Sequence, residues 1–241
     1  MDVFSSETWP QLRYLAVTYF HQDYDLDAPA PLDVVRLYAG GRPASAVAEL
    51  ESELRRLLSL PMDDAQLRAI WIDEWGASYD PQTDRIGGRE WFGAILSVLL
   101  AERLLRVAGW SPGRSVDVSS PRAMLEERGY AVGPLTEAFL REFDGLTVDY
   151  VRNGHADSVW FDAGRASVEA DAEWVAEYGR RLGESLVPIG FSNHDHLLVM
   201  IAGSGSFYGG FDNFLCQLGP SAPAMIDNIV SQESRPLTGI G

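Results

Sequence analysis

Apolar residues in the first hundred positions recur at helical spacing. Pro10 suits the first turn of a helix running to about Phe20, with Leu12, Leu15 and Tyr19 on one stripe. Asp23 to Pro31 is acidic and then proline-rich, which predicts a loop. A short helix from Leu32 to Tyr38 is expected to stop at Gly40 and Gly41. From Ala44, the residues Val47, Leu50, Leu54, Leu57 and Leu58 keep the helical period. Asp63 with Gln66 has the spacing of a capping box, opening a helix that carries Leu67, Ile70, Trp71 and Trp75 and ends at Gly76. Turn residues fill Tyr79 to Gly88, and a long helix follows from about Arg89 to Val107. This half reads as a small α-helical bundle.

The pattern changes after Gly109. Ser119 and Ser120 before Pro121 start a helix that Gly129 stops, and a second spans roughly Pro134 to Phe143. Short β-type runs then occupy Leu146 to Val151, Ser158 to Phe161, Leu186 to Phe191, His196 to Ile201, Ser206 to Tyr208 and Phe214 to Leu218. One amphipathic helix, Ala172 to Leu182, interrupts them. Glycines at 203, 205, 209 and 210 mark tight turns. Helices followed by hairpin-linked strands predict an α+β fold with a mainly antiparallel sheet. The expected domains are 1–99 and 100–241. The helix from Arg89 to Val107 serves both, which predicts a rigid junction.

Composition adds one informative feature. Of 241 residues, 46% are apolar and 22% charged, as in ordinary globular chains. The charge is one-sided: 35 acids face 19 arginines with no lysine, a net of −16. Residues 1–99 and 100–241 each carry −8. Such a chain is disfavoured as a direct nucleic-acid binder, because it offers few cations to displace counterions from phosphates. A negative field suits a basic protein partner instead. The longest uncharged apolar run, Trp91 to Ala101, is short of the roughly 20 residues that cross a bilayer, so no membrane association is expected. Met1 to Pro10 lacks the pattern of a secretion signal, and the single Cys216 has no disulfide partner; the expected location is the cytoplasm.

Candidate chemistry is sparse. Asp23, Asp25 and Asp27 alternate like the opening of a calcium loop, but Ala28 and Val34 stand where its glycine and bidentate glutamate belong. His194 and His196 flank Asp195, and two imidazoles without a third ligand fit a polar turn better than a zinc site. Gly203 to Ser206 lacks the Gly-Lys-Ser/Thr ending of a phosphate loop. Cys216 lies in an apolar run and reads as a small buried hydrophobe. No catalytic, cofactor-binding or metal-binding residue is therefore assigned. The acidic stretch Asp23, Asp25 and Asp27 and the turn at Asp195 are exposed candidates for partner contact.

Two stretches carry a family resemblance. Tyr19-Phe20-His21-Gln22-Asp23-Tyr24-Asp25 comes first, with Glu49 to Leu58, Gly76-x-x-Tyr79-x-Pro81 and Arg89-Glu90-Trp91-Phe92. Together they resemble the helical CdiI-type immunity proteins of contact-dependent growth inhibition systems, over residues 10 to 99. Leu104 to Asp117, Ala138 to Leu146, Pro188-Ile189-Gly190 and Tyr208-Gly209-Gly210 resemble a bacterial immunity branch of the SUKH superfamily, over nearly all of 100 to 241. Phe143-Asp144-Gly145-Leu146 departs from the more usual Phe-Gly-Gly-Leu. The resemblance implies a non-enzymatic immunity protein that occludes a cognate toxin domain, among them nucleases and nucleic-acid deaminases. A general intracellular adaptor of SUKH type is the alternative.

Overall fold

The computed structural model describes residues 8–28, 30–152, 154–230 and 239. The chain divides into two compact units between Glu102 and Arg103.

In the first unit, α1 (Pro10–Tyr14) continues as a π-turn (Leu15–Tyr19), followed by α2 (Tyr24–Asp27), α3 (Pro31–Gly41) and α4 (Ala44–Ser59). Then come α5 (Asp64–Ala69) with its own π-turn (Ile70–Glu74), a 3₁₀ turn (Pro81–Asp84), and α6 (Gly88–Val107), within which the division falls. The stripe expected on α4 is realised, with Leu50, Leu54 and Leu57 fully buried. They join Leu12, Leu15, Val35, Trp71, Trp91, Phe92 and Ile95 in one core. Two expectations need correction. The stretch from Asp23 to Pro31 holds the helical turn α2, whose backbone closes through Leu26 N–H donating to the Asp23 carbonyl at 3.1 Å. α3 runs through Gly40 and Gly41, because Pro43 sets its end by forcing Arg42 into extended backbone (φ −108°, ψ 151°).

Polar groups fix the helix ends. Asp63 and Gln66 form the expected capping box, each side chain accepting the other's backbone N–H, at 2.8 and 3.0 Å. Asp64 Oδ1 accepts the Arg89 N–H at 2.8 Å at the start of α6. Alanine at Gly88 would place its Cβ 2.6 Å from the Asp64 carbonyl, so only glycine lets α6 close on α5 here. The Arg89 guanidinium donates to the Leu58, Leu60 and Met62 carbonyls at 2.7 to 3.2 Å, covering the end of α4. Glu53, 7% exposed, accepts the backbone N–H groups of Gln11 (3.1 Å) and Leu12 (2.8 Å), which opens α1 from across the bundle.

Burial pushes the Glu53 carboxyl up, and the two N–H bonds pull it back only in part. A carboxyl raised by folding adds stability when protonated, present below the unfolded value and lost as pH rises through the folded one. Wild type should therefore gain on Glu53→Gln as pH falls from neutrality to about 4, in paired urea titrations. Glu53→Ala, which orphans both donors, is expected to cost about 2–4 kcal/mol at pH 7. An alanine variant as stable as wild type would exclude this role.

The second unit opens with α7 (Ser119–Glu127) and α8 (Pro134–Phe143). Six strands follow: β1 (Thr147–Arg152), β2 (His155–Phe161), β3 (Leu186–Ser192), β4 (Leu197–Ala202), β5 (Phe207–Phe211) and β6 (Phe214–Gly219). They form one antiparallel sheet in sequential order, as the α+β expectation requires. Two helices, not one, stand between β2 and β3: α9 (Ala163–Glu169) and α10 (Ala172–Leu182). The sequence pattern misses α9 because its buried residues are Ala163, Gly164, Ala166 and Ser167, too small to make an apolar stripe. Caps replace that signal: Asp162 accepts the Arg165 N–H at 2.8 Å and Asp144 the Ala163 N–H at 2.9 Å. The aspartate that departs from Phe-Gly-Gly-Leu thus opens this helix. A last helix, α11 (Ala222–Val230), also escapes the sequence reading.

One sheet face packs Trp160, Leu198, Met200 and Tyr208 against Ala166, Val175 and Tyr178 of α9 and α10. Phe139 of α8 meets Phe161 and Phe207, with ring centres 5.4 and 5.2 Å apart. Inside the sheet, the Tyr150 hydroxyl donates to Asp157 (3.1 Å) and meets the Ser192 hydroxyl (3.0 Å), which satisfies three buried polar groups together.

Candidate interaction surface

The acidic stretch of the first unit rests on aromatic rings. Phe20, at the end of the first π-turn, packs on Trp71 (5.2 Å), Trp91 (5.6 Å) and Tyr79 (6.0 Å). Ser78 N–H donates to the Phe20 carbonyl at 2.7 Å, and the Trp71 indole to the Tyr79 carbonyl at 2.8 Å. The segments that leave the two π-turns are thereby tied together. Tyr24 of α2 lies on this base, 5.6 Å from Phe20 and 5.9 Å from Tyr79 between ring centres.

Around Tyr24 the acids gather. Burial raises its hydroxyl above the ordinary tyrosine range, and the carboxylates of Asp25 and Asp84 raise it further. Asp84 also accepts the Tyr79 hydroxyl at 2.9 Å, and burial first and Asp84 second push that phenol up. The fold thus adds Asp84 to the acidic surface. The sequence reading missed it, although Tyr79-x-Pro81 just before it belongs to the first resemblance.

His21 braces the loop. Its Nδ1 accepts the Asp23 N–H (3.2 Å) while its Nε2 meets Asp27 Oδ2 (3.1 Å). The neutral ring with its proton on Nε2 satisfies both contacts at once. Asp23, Asp25 and Asp27 are all exposed, so the structure brings these three candidates together on and beside one short helix.

Asp195 belongs to the other unit, in the turn joining β3 and β4. Asn193, His194 and Asp195 are left-handed (φ 56°, 54° and 63°), and His196 N–H closes the turn on the Asn193 carbonyl at 3.1 Å. Short polar residues tolerate that conformation, and its hand matches the twist of a hairpin. Asp195 accepts the Trp160 indole N–H at 2.5 Å, and Arg165 stacks 4.1 Å above the same ring. Asp195 therefore holds the turn against the sheet while its side chain stays 54% exposed.

Other features bear on chemistry. Cys216 is buried, and its thiol is pushed up to about 11 by that burial, which keeps it protonated at neutral pH. A cleft of about 560 Å³ in the first unit is lined by Asp64, Arg68, Gln82, Arg85, Gly87 and Gly88, among others. Its charges are largely committed: Asp64 to the start of α6, and Arg68 to Asp80 through a two-pronged ion pair. Among the described residues no group of three or more His, Cys, Asp or Glu side chains is placed to hold a metal ion. Among them, too, no helix is long and apolar enough to cross a membrane.

Comparison with known proteins gives two family matches in chain order. Residues 8–99 match the family model of the CdiI immunity protein, and residues 100–232 that of the SUKH-3 immunity protein. A solved structure, the crystal structure of a CdiA-CT/CdiI complex from Y. kristensenii 33638, is 25% identical over 36% of this chain and 94% of its own, with a TM-score of 0.35. No curated protein matches.

Proposed function

We propose, because this chain belongs to the SUKH-3 immunity protein family through residues 100–232, that it protects its cell by binding a cognate polymorphic toxin. The carrying observation is that two immunity-protein families account for residues 8–99 and 100–232 in succession. Binding covers the toxin's working surface in the cytoplasm, and the chain itself makes and breaks no bond. The toxin acts on nucleic acid and has a basic surface. Support for that comes from the net charge of −16 and from the exposed acids Asp23, Asp25, Asp27 and Asp84, because proteins that engage phosphates concentrate positive charge around their sites. Asp195 is the proposed contact in the second unit.

Co-expression with the cognate toxin domain is expected to restore growth and to yield a purifiable complex. Cell death with no complex would reject the reading. Electrostatic steering makes a second, separate prediction. Association should slow on the order of tenfold between 50 and 500 mM salt, while dissociation changes little, since long-range attraction acts before contact. Stopped-flow mixing measures it, and an association rate independent of salt would exclude steering.

A further inference from the structure

Acidic residues alone are ordinary solvated surface, and they leave one feature of this loop unexplained. Leu26 is 83% exposed, more than any other large apolar side chain among the described residues. It stands on α2 between Asp25 and Asp27. The same short element is tied down elsewhere: Tyr24 lies on the rings of Phe20 and Tyr79, Ala28 is buried, and His21 braces Asp23 and Asp27. Because the turn is braced, binding through this leucine would not have to order the loop backbone that carries it. Interfaces draw most of their energy from a few side chains that enter dry, well-packed pockets, with charges around them acting mainly on encounter.

We propose that Leu26 is the apolar anchor of the partner-binding surface. It enters an apolar pocket on the toxin, and arginine or lysine side chains on the pocket's rim meet Asp25 and Asp27. The inference rests on the immunity reading above and adds the residue that sets how long the complex lasts. Charge selects this occupant over others. A second copy of this chain would bring like charges together, and an anionic membrane or nucleic acid would be repelled by the same carboxylates.

The test uses the full chain and the cognate toxin domain, with rates followed by surface plasmon resonance. Leu26→Ala is expected to dissociate about 30-fold faster or more, the mark of an anchor residue, with its association rate and salt dependence within about threefold of wild type. Leu26→Met should restore most of the lost lifetime. Asp25→Asn with Asp27→Asn should act oppositely, slowing association and flattening its salt dependence. Val151, 71% exposed on β1, serves as the control, and Val151→Ala should behave as wild type. The Leu26 side chain is already in water, so the thermal unfolding of Leu26→Ala should coincide with that of wild type. Dissociation of Leu26→Ala within about threefold of wild type would overturn the anchor and leave the immunity reading standing. Failure of the wild-type chain to bind would overturn that reading itself.

Discussion

Replacing Gly190 by alanine is expected to break the sheet of the second unit. A Cβ at this position would lie 2.0 Å from the Trp160 carbonyl oxygen and 3.0 Å from its carbon. Both atoms are backbone, so no side-chain rotation can relieve the clash. β2 and β3 pair only through Trp160 with Phe191 and Phe161 with Gly190, and a register shift lies beside Gly190 on the β4 side. Opening that pairing would free the Trp160 carbonyl, loosen the ring that holds Asp195, and split the sheet at its narrowest point. Overpacking costs about 1–3 kcal/mol where side chains can adjust. Here the backbone must move, so a loss of about 3 kcal/mol or more is expected. Gly203→Ala supplies the contrast: its Cβ would meet only Ser185 Oγ, at 3.6 Å, and stability should stay within about 0.5 kcal/mol of wild type. Urea denaturation followed by circular dichroism separates the two. Equal midpoints would mean that the close approach of β2 and β3 is unimportant.

Trp71→Ala should cost about as much in the first unit, by the opposite physics. Trp71 is fully buried, and its ring meets Phe20 at 5.2 Å, Phe92 at 5.7 Å and Trp91 at 5.8 Å. Alanine would leave a cavity among rigid rings that cannot collapse into it, at about 3–5 kcal/mol. It also removes the indole donor to the Tyr79 carbonyl, the bond that fixes the Gly76–Tyr79 segment under the acidic loop. Trp71→Phe fills much of the space without restoring that donor, so an intermediate loss of about 1–3 kcal/mol is expected. Hydrogen exchange at Tyr24 and Leu26 should quicken in both variants, most in alanine. Unchanged exchange there would show that the acidic loop does not depend on this aromatic base.

Much of the fold was legible because long helices and half-buried strands write their period into the chain. Leu50, Leu54 and Leu57 announce α4, Asp63 and Gln66 announce α5, and the alternating or apolar runs announce all six strands to within a few residues. What escaped follows one logic. α9 buries alanine, glycine and serine, which carry no hydropathy signal, and its caps come from Asp162 and from the distant Asp144. α2 is a single turn whose sequence, Tyr-Asp-Leu-Asp, has neither an apolar stripe nor a start signal. The end of α3 was read from two glycines, whereas the conformational restriction that stops it belongs to Pro43.

The candidate surface divides in the same way. Net charge, the acidic run at Asp23, Asp25 and Asp27, and the two family resemblances are properties of composition and local order, so the sequence determined them alone. That Asp84 joins the run beside Tyr24, that Leu26 is held out into water, and that Asp195 is bound to the Trp160 indole were decided only by tertiary structure. Each depends on residues far apart in the chain, placed together by packing against shared rings. No local period or propensity encodes a meeting of that kind.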